Sequence, residues 1–184
     1  MKRNTFPLAP RPLFVYVIAI IILLTIPLAL TGQENAKLKL ESPVFKHMGN
    51  IPVRYTCDGD NVSPPLVWSG IPEGCVSMVI IMEDPDAEGK TMTHWLVWNL
   101  DPNLGGLEEG ILLGLVKGFT GVNDFSKHGY VGPCLESGSH VYQIKLYALK
   151  EKIELTTASS KTELMAAMEG KIIATSTLMG VYGK

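Results

Sequence analysis

Two carboxylates and two imidazoles carry most of the chemistry open to this chain, and their spacing predicts that they meet. Asp84 and Asp86 flank Pro85 at the end of an apolar run, Val76 to Met82, and His94 opens the next apolar run. Acid and imidazole therefore fall at neighbouring ends of two strands. His140 opens a third run, with Tyr142 at the alternate position. Imidazole, a tyrosine hydroxyl and the backbone N–H groups of a Gly-rich loop can donate to a phosphate or carboxylate, while Asp84 and Asp86 can accept from an ammonium. A titratable ring at the mouth of an apolar face, one loop from two acids, is the composition of a ligand site more than of a plain core.

Strands must hold these groups. Val79, Ile80 and Ile81 are β-branched, Pro85 cannot donate to a ladder, and Ala87 to Thr91 with Gly89 is turn material, so a hairpin is expected. In its second arm, alternation puts His94, Leu96, Trp98 and Leu100 on one face and Thr93, Trp95, Val97 and Asn99 on the other. The clearest strand of the chain is His140 to Leu149, where His140, Tyr142, Ile144, Leu146 and Ala148 share a face. Both histidines thus open a strand on its more apolar side, and in a common core both rings approach the same open end.

The other elements follow from turn residues and periodicity. Lys37–Glu41, Asn50–Thr56 and Leu66–Trp68 read as short strands, with a turn at Cys57 to Asn61. Residues 101–121 read as loop with one further strand. Asn123 to Ser139, holding Gly129, Gly132, Pro133 and Gly138, reads as a long irregular loop that frames the site. Ser160 with Glu163 three residues on starts a helix that ends near Gly170, and Ile172 to Met179 is a last strand or its continuation. Six to eight short strands and one late helix specify an all-β sandwich or a β-rich α+β fold.

The first 33 residues differ from the rest of the 184. No charge falls between Pro12 and Gln33, and Leu13 to Leu30 would span roughly 27 Å as a helix, close to a bilayer's hydrocarbon thickness. Lys2, Arg3 and Arg11 precede this segment. Residues 1–33 accordingly read as a signal peptide or N-terminal membrane anchor, and 34–184 as one exported domain, periplasmic or extracellular. Three basic and no acidic residues belong to the leader, so the body holds 13 basic and 18 acidic side chains, net −5. Such a body argues against nucleic acid as a partner. Cys57, Cys75 and Cys134 allow at most one intramolecular bridge. A Cys57–Cys75 link and three small buried hydrophobes are equal alternatives.

Spaced motifs add a resemblance. Thr56-Cys57-Asp58-Gly59, Ser63-Pro64-Pro65-Leu66-x-Trp68, Asp84-Pro85-Asp86-Ala87, His94-Trp95, Gly129-Tyr130-x-Gly132-Pro133-Cys134 and Gly138-Ser139-His140 occur in that order. Together they resemble the phosphatidylethanolamine-binding protein family, most of all its bacterial branch of Raf kinase inhibitor-like proteins. The resemblance runs from about Lys39 to the C-terminus. It implies two antiparallel sheets packed as a sandwich and a small anion-accepting cavity at Asp84, Asp86, His94, Gly132, Pro133, His140 and Tyr142. Two positions depart from the family's pattern: Glu88 stands where a proline is common, and Val141 where an arginine is common. The second departure puts in doubt any partner contact that arginine makes.

The expected function is a small-ligand-binding module for a phosphate, a phospho-head-group or another anion, regulating a protein partner through the same site. No cofactor or metal is expected. Two alternatives use other chemistry. An enzyme could employ the His/Asp cluster as a two-His, one-carboxylate metal site, or Cys134 with His140 as nucleophile and base. A protease or kinase inhibitor would act by surface contact.

Overall fold

The β-branched run after Ser77 lies at the centre of the molecule because both of its faces have something to pack on. The computed structural model describes Met1 and residues 37–184. The leader expected over residues 1–33 falls almost wholly outside these. No helix among the described residues is long and apolar enough to cross a membrane.

In chain order the strands are β1 (Lys39–Glu41), β2 (Gly49–Asn50), β3 (Leu66–Ser69), β4 (Ser77–Asp84), β5 (Met92–Leu100), β6 (Gly106–Leu107), β7 (Phe119–Thr120), β8 (Ser139–Leu149) and β9 (Ile172–Gly183), with helix α1 (Lys161–Met168) before the last. One sheet is ordered β1-β3-β6 and the other β2-β9-β8-β4-β5-β7. Pairing is antiparallel except for β2 with β9, which run parallel. Between the sheets, Leu40, Leu66, Trp68 and Leu107 pack with Met78, Ile80, Met82, Trp95, Tyr142, Ile144 and Leu146. Behind the large sheet, Val79, Ile81, Leu96, Trp98, Leu149 and Ile153 pack with Leu164 and Met168 of α1. Every residue of β4 is therefore buried, and each large apolar side chain on it contributes about 1.5–3 kcal/mol.

Helix α1 starts as the residues dictate. The Ser160 side chain accepts from the Glu163 N–H while the Glu163 carboxylate accepts from the Ser160 N–H, satisfying two otherwise orphaned donors. Glu83 of β4 pins this layer by ion pairs to Lys145 of β8 and Lys161 of α1. Burial alone would raise the Glu83 carboxyl, but the two ammonium groups prevail and hold it below its ordinary value.

Three expectations are corrected. Of Asn50 to Thr56, only Asn50 is in a strand, and Val53–Tyr55 forms a 3-10 turn. Pro52, which lacks an N–H, removes the donor a ladder would need there. The last strand extends four residues beyond Met179, to Gly183. Strict alternation fails in β5, because Met82 pairs with Trp95 and Glu83 with Thr93, leaving His94 as an extra residue. A second shift leaves one extra residue between Val97, opposite Ile80, and Leu100, opposite Met78, where Asn99 has φ 58°. His94 and Leu100 therefore join Trp95 and Val97 on the inter-sheet side, while Leu96 and Trp98 face the helix.

Candidate functional site

At the open end of β4, β5 and β8 the chain gathers three side chains, Asp84, His94 and His140, around the Tyr142 ring. Asp84 ends β4, is 3 % exposed, and puts Oδ2 2.7 Å from His140 Nδ1 at the start of β8. Its Oδ1 accepts from the Asp86 N–H at 2.9 Å, closing the turn around Pro85. Asp86 is exposed and accepts from the Val141 N–H at 2.8 Å. The two acids thus clip the hairpin turn onto β8, Asp84 at the ring and Asp86 at the backbone.

His94 enters from the other side. The bulge places its ring edge-on to Tyr142, centroids 5.3 Å apart, and the His140 centroid lies 6.4 Å from Tyr142. The His94 ring is edge-on to Phe125 as well, at 4.9 Å. Its Nδ1 is 2.7 Å from the Val131 carbonyl oxygen. A carbonyl only accepts, so Nδ1 carries the proton and Nε2 is left for other partners. The Asp84 carboxylate imposes the same tautomer on His140. Burial pushes the His94 imidazole below its ordinary value, with the Val131 carbonyl and the Asp84 carboxylate opposing the shift. Burial, reinforced by Asp84, pushes the Tyr142 hydroxyl well above its usual range, while the Cys134 N–H opposes.

The long loop forms the wall. Asn123, 4 % exposed, donates from Nδ2 to the carbonyls of His94 and Gly129 and accepts at Oδ1 from the N–H groups of Phe125 and Lys127. The Gly132 N–H is committed to Asn61 Oδ1 at 2.8 Å, and a Cβ on Gly132 would stand 2.4 Å from the Tyr55 carbonyl oxygen. Gly132 is thus required for close approach to the Thr56 turn. The Pro133 carbonyl accepts from the Cys57 N–H at 3.0 Å, and a Cys57–Cys134 disulfide closes the junction. Neither alternative held for the cysteines is found: Cys57 and Cys134 are bridged rather than packed as thiols, and the Cys57–Cys75 link does not form, because Cys75 precedes β4 and lies against Met78, away from this loop. Cys134, being half of a disulfide, has no thiolate for the nucleophile-and-base alternative.

Of the residues predicted from sequence, Asp84, His94, His140 and Tyr142 therefore converge, while Asp86, Gly132 and Pro133 frame them. Phe125, Asn123 and the Val131 carbonyl escaped sequence reasoning; Asn123-Asp124 in a Gly-rich stretch signals a turn but not what the turn packs on. No group of three or more His, Cys, Asp or Glu side chains among the described residues is placed to hold a metal ion.

Fold and cluster together define a β-sandwich protein with imidazoles and a carboxylate at the open ends of its central strands. The chain belongs to the phosphatidylethanolamine-binding protein family: the family model of that description matches residues 41–183. A UPF0098 protein of Methanothermobacter thermautotrophicus is 42% identical over 151 residues, covering 79% of this chain and 98% of that one. A UPF0098 protein of Chlamydia trachomatis is 38% identical over 152 residues, 80% of this chain and 99% of its own. Among solved structures, the phosphatidylethanolamine-binding protein homologue CT736 of Chlamydia trachomatis superposes with a TM-score of 0.77 at 36% identity, covering 81% of this chain and 99% of that one. Escherichia coli YbcL, described as a new member of the mammalian family, gives 0.75 at 31% identity, with 81% and 99% covered.

Proposed function

We propose that this chain is a binding module for a small phosphorylated or otherwise anionic ligand, seated between His94 and His140 over Tyr142. The observation that carries the reading is that both rings commit Nδ1 to the protein, one to the Val131 carbonyl and one to Asp84. Two Nε2 atoms on either side of one tyrosine then remain for a ligand. An anion needs donors, and a neutral imidazole with Nδ1 protonated offers only a lone pair at Nε2, so binding draws a proton onto the ring. Asp84 opposes a second negative charge. Affinity is therefore modest near neutral pH and rises with acidity.

Calorimetry with inorganic phosphate, and with sulfate as an anion that does not titrate between pH 7.5 and 6, tests this in wild type, His94→Ala, His140→Ala and the double variant. Tighter binding at pH 6 and non-additive losses are expected, as two groups at one ligand share its energy. A folded double variant that binds both anions as wild type does would sink the reading.

A further inference from the structure

The Cys57–Cys134 bridge joins residues 77 positions apart, and both half-cystines are exposed. Its Cys134 end belongs to the wall of the strand-end cluster. Three residues before Cys134, the Val131 carbonyl fixes the His94 ring, and two before it the Gly132 N–H is held by Asn61 Oδ1. Its Cys57 end belongs to a well-anchored turn, since Asp58 accepts from the Tyr182 hydroxyl and from Lys184 Nζ at the end of the chain. One sulfur is thus held by the body of the large sheet and the other by the loop that shapes the cluster. Cys75, the remaining thiol, is only partly exposed and takes no part.

We propose that this disulfide is a redox-operated clamp on the His94–Tyr142–His140 cluster, which a dithiol reductant opens, loosening the Gly129–Gly138 segment and weakening anion binding. The inference rests on the function proposed above. A thiolate of the dithiol attacks one sulfur of the bridge to give a mixed disulfide, and the second thiol of the reductant resolves it. Two electrons and two protons pass to Cys57 and Cys134, and the reductant leaves as its own disulfide. Exposure of the bridge allows this attack, as exposed disulfides are the labile ones. Once it opens, no covalent tie joins the loop to the turn, and what remains is hydrogen bonds, chiefly Cys57 N–H to Pro133, Gly132 N–H to Asn61 and the Tyr130 hydroxyl to the Tyr55 carbonyl, with the packing of Tyr130 on Trp95.

The test uses the full chain, oxidised and after dithiothreitol, with thiol counts rising from one to three. Ring nitrogen spectra of His94 without ligand, and calorimetry with inorganic phosphate, are then compared between the two states. Reduction is expected to raise the His94 titration midpoint, as the ring gains solvent, which by itself favours an anion, but to weaken phosphate binding by about 5-fold or more, the lower end of typical coupling between sites, because the loosened segment no longer holds the ring in place against Tyr142. Cys57→Ser with Cys134→Ser should match the reduced state and ignore dithiothreitol. An unchanged His94 titration, unchanged phosphate affinity where phosphate binds, a bridge that resists dithiothreitol, or loss of the native near-ultraviolet signal on reduction each overturns the clamp. If phosphate binds neither state while the His94 midpoint still moves, the proposed ligand is wrong and the clamp stands.

Discussion

Asp84 Oδ2 and His140 Nδ1 meet at 2.7 Å across 56 positions of sequence, the acid almost fully buried and the ring partly open to solvent. This contact selects the ring's tautomer as well as its position. Asp84→Asn keeps an acceptor of similar shape but removes the charge, and it is expected to destabilise the domain by about 1–3 kcal/mol. Urea unfolding measures the loss, and ring nitrogen spectra of His140 should show the Nδ1–H form losing its dominance. Unchanged spectra would mean the carboxylate does not set the tautomer.

His94 makes the fold sensitive to mild acid. Its folded value lies below the unfolded one of about 6.5, because burial disfavours the cation. As pH falls below about 6.5 the unfolded chain takes up a proton that the native state still refuses, so stability declines through that window. His94→Gln should lose less stability between pH 7.5 and 5.5 than wild type does. Equal losses would remove His94 from the account.

Glu83 acts at lower pH, with a shift in the same direction but a different cause, its two ammonium partners rather than burial. Its depressed carboxyl contributes stability that is complete above the unfolded value of about 4.5 and is lost as pH falls through the folded value. Replacing it by glutamine should cost about 2 kcal/mol at neutral pH, since hydrogen bonds to charged groups from both Lys145 and Lys161 are weakened. The variant's urea midpoint should also fall less than wild type's below pH 4.5.

Gly132→Ala drives a methyl group to 2.4 Å from the Tyr55 carbonyl oxygen. Backbone, not a flexible side chain, stands in the way, so the loop must move by more than a rotamer change. A loss of about 1–3 kcal/mol is expected from overpacking, and a melting curve superimposable on wild type would contradict the close-approach reading.

The basic residues before the uncharged segment 12–33 predict that everything beyond it crosses a membrane. A reporter joined after Lys37 should be active only when it works outside the cytoplasm. Activity confined to the cytoplasm would reject export.

Sequence made the β8 face legible because that strand keeps strict alternation from Ser139 to Ala148. In β5 the same rule misplaced His94 and Leu100, since each bulge adds one residue that no side-chain property announces. The convergence of the two histidines was nevertheless anticipated, because strand ends rather than faces decided it. The disulfide was not legible: a cysteine count says nothing of which loops touch, and it is Gly132 and Pro133 that bring Cys134 against Cys57 by crossing the Thr56 turn. The capping box at Ser160 was readable outright, being a purely local pattern.

The bulge at His94 makes the site a matter of counting. Were His94 paired in regular register, with one residue fewer between the partners of Met82 and Glu83, its imidazole would stay in β5 but turn with Leu96 towards α1, and the acid, the tyrosine and the loop would keep their places around an empty position. Chain length over three residues, Thr93 to Trp95, thereby specifies the cluster as firmly as the histidine itself does. Relatives of this chain that retain every residue of the cluster but lose one position there would be expected to have lost the site.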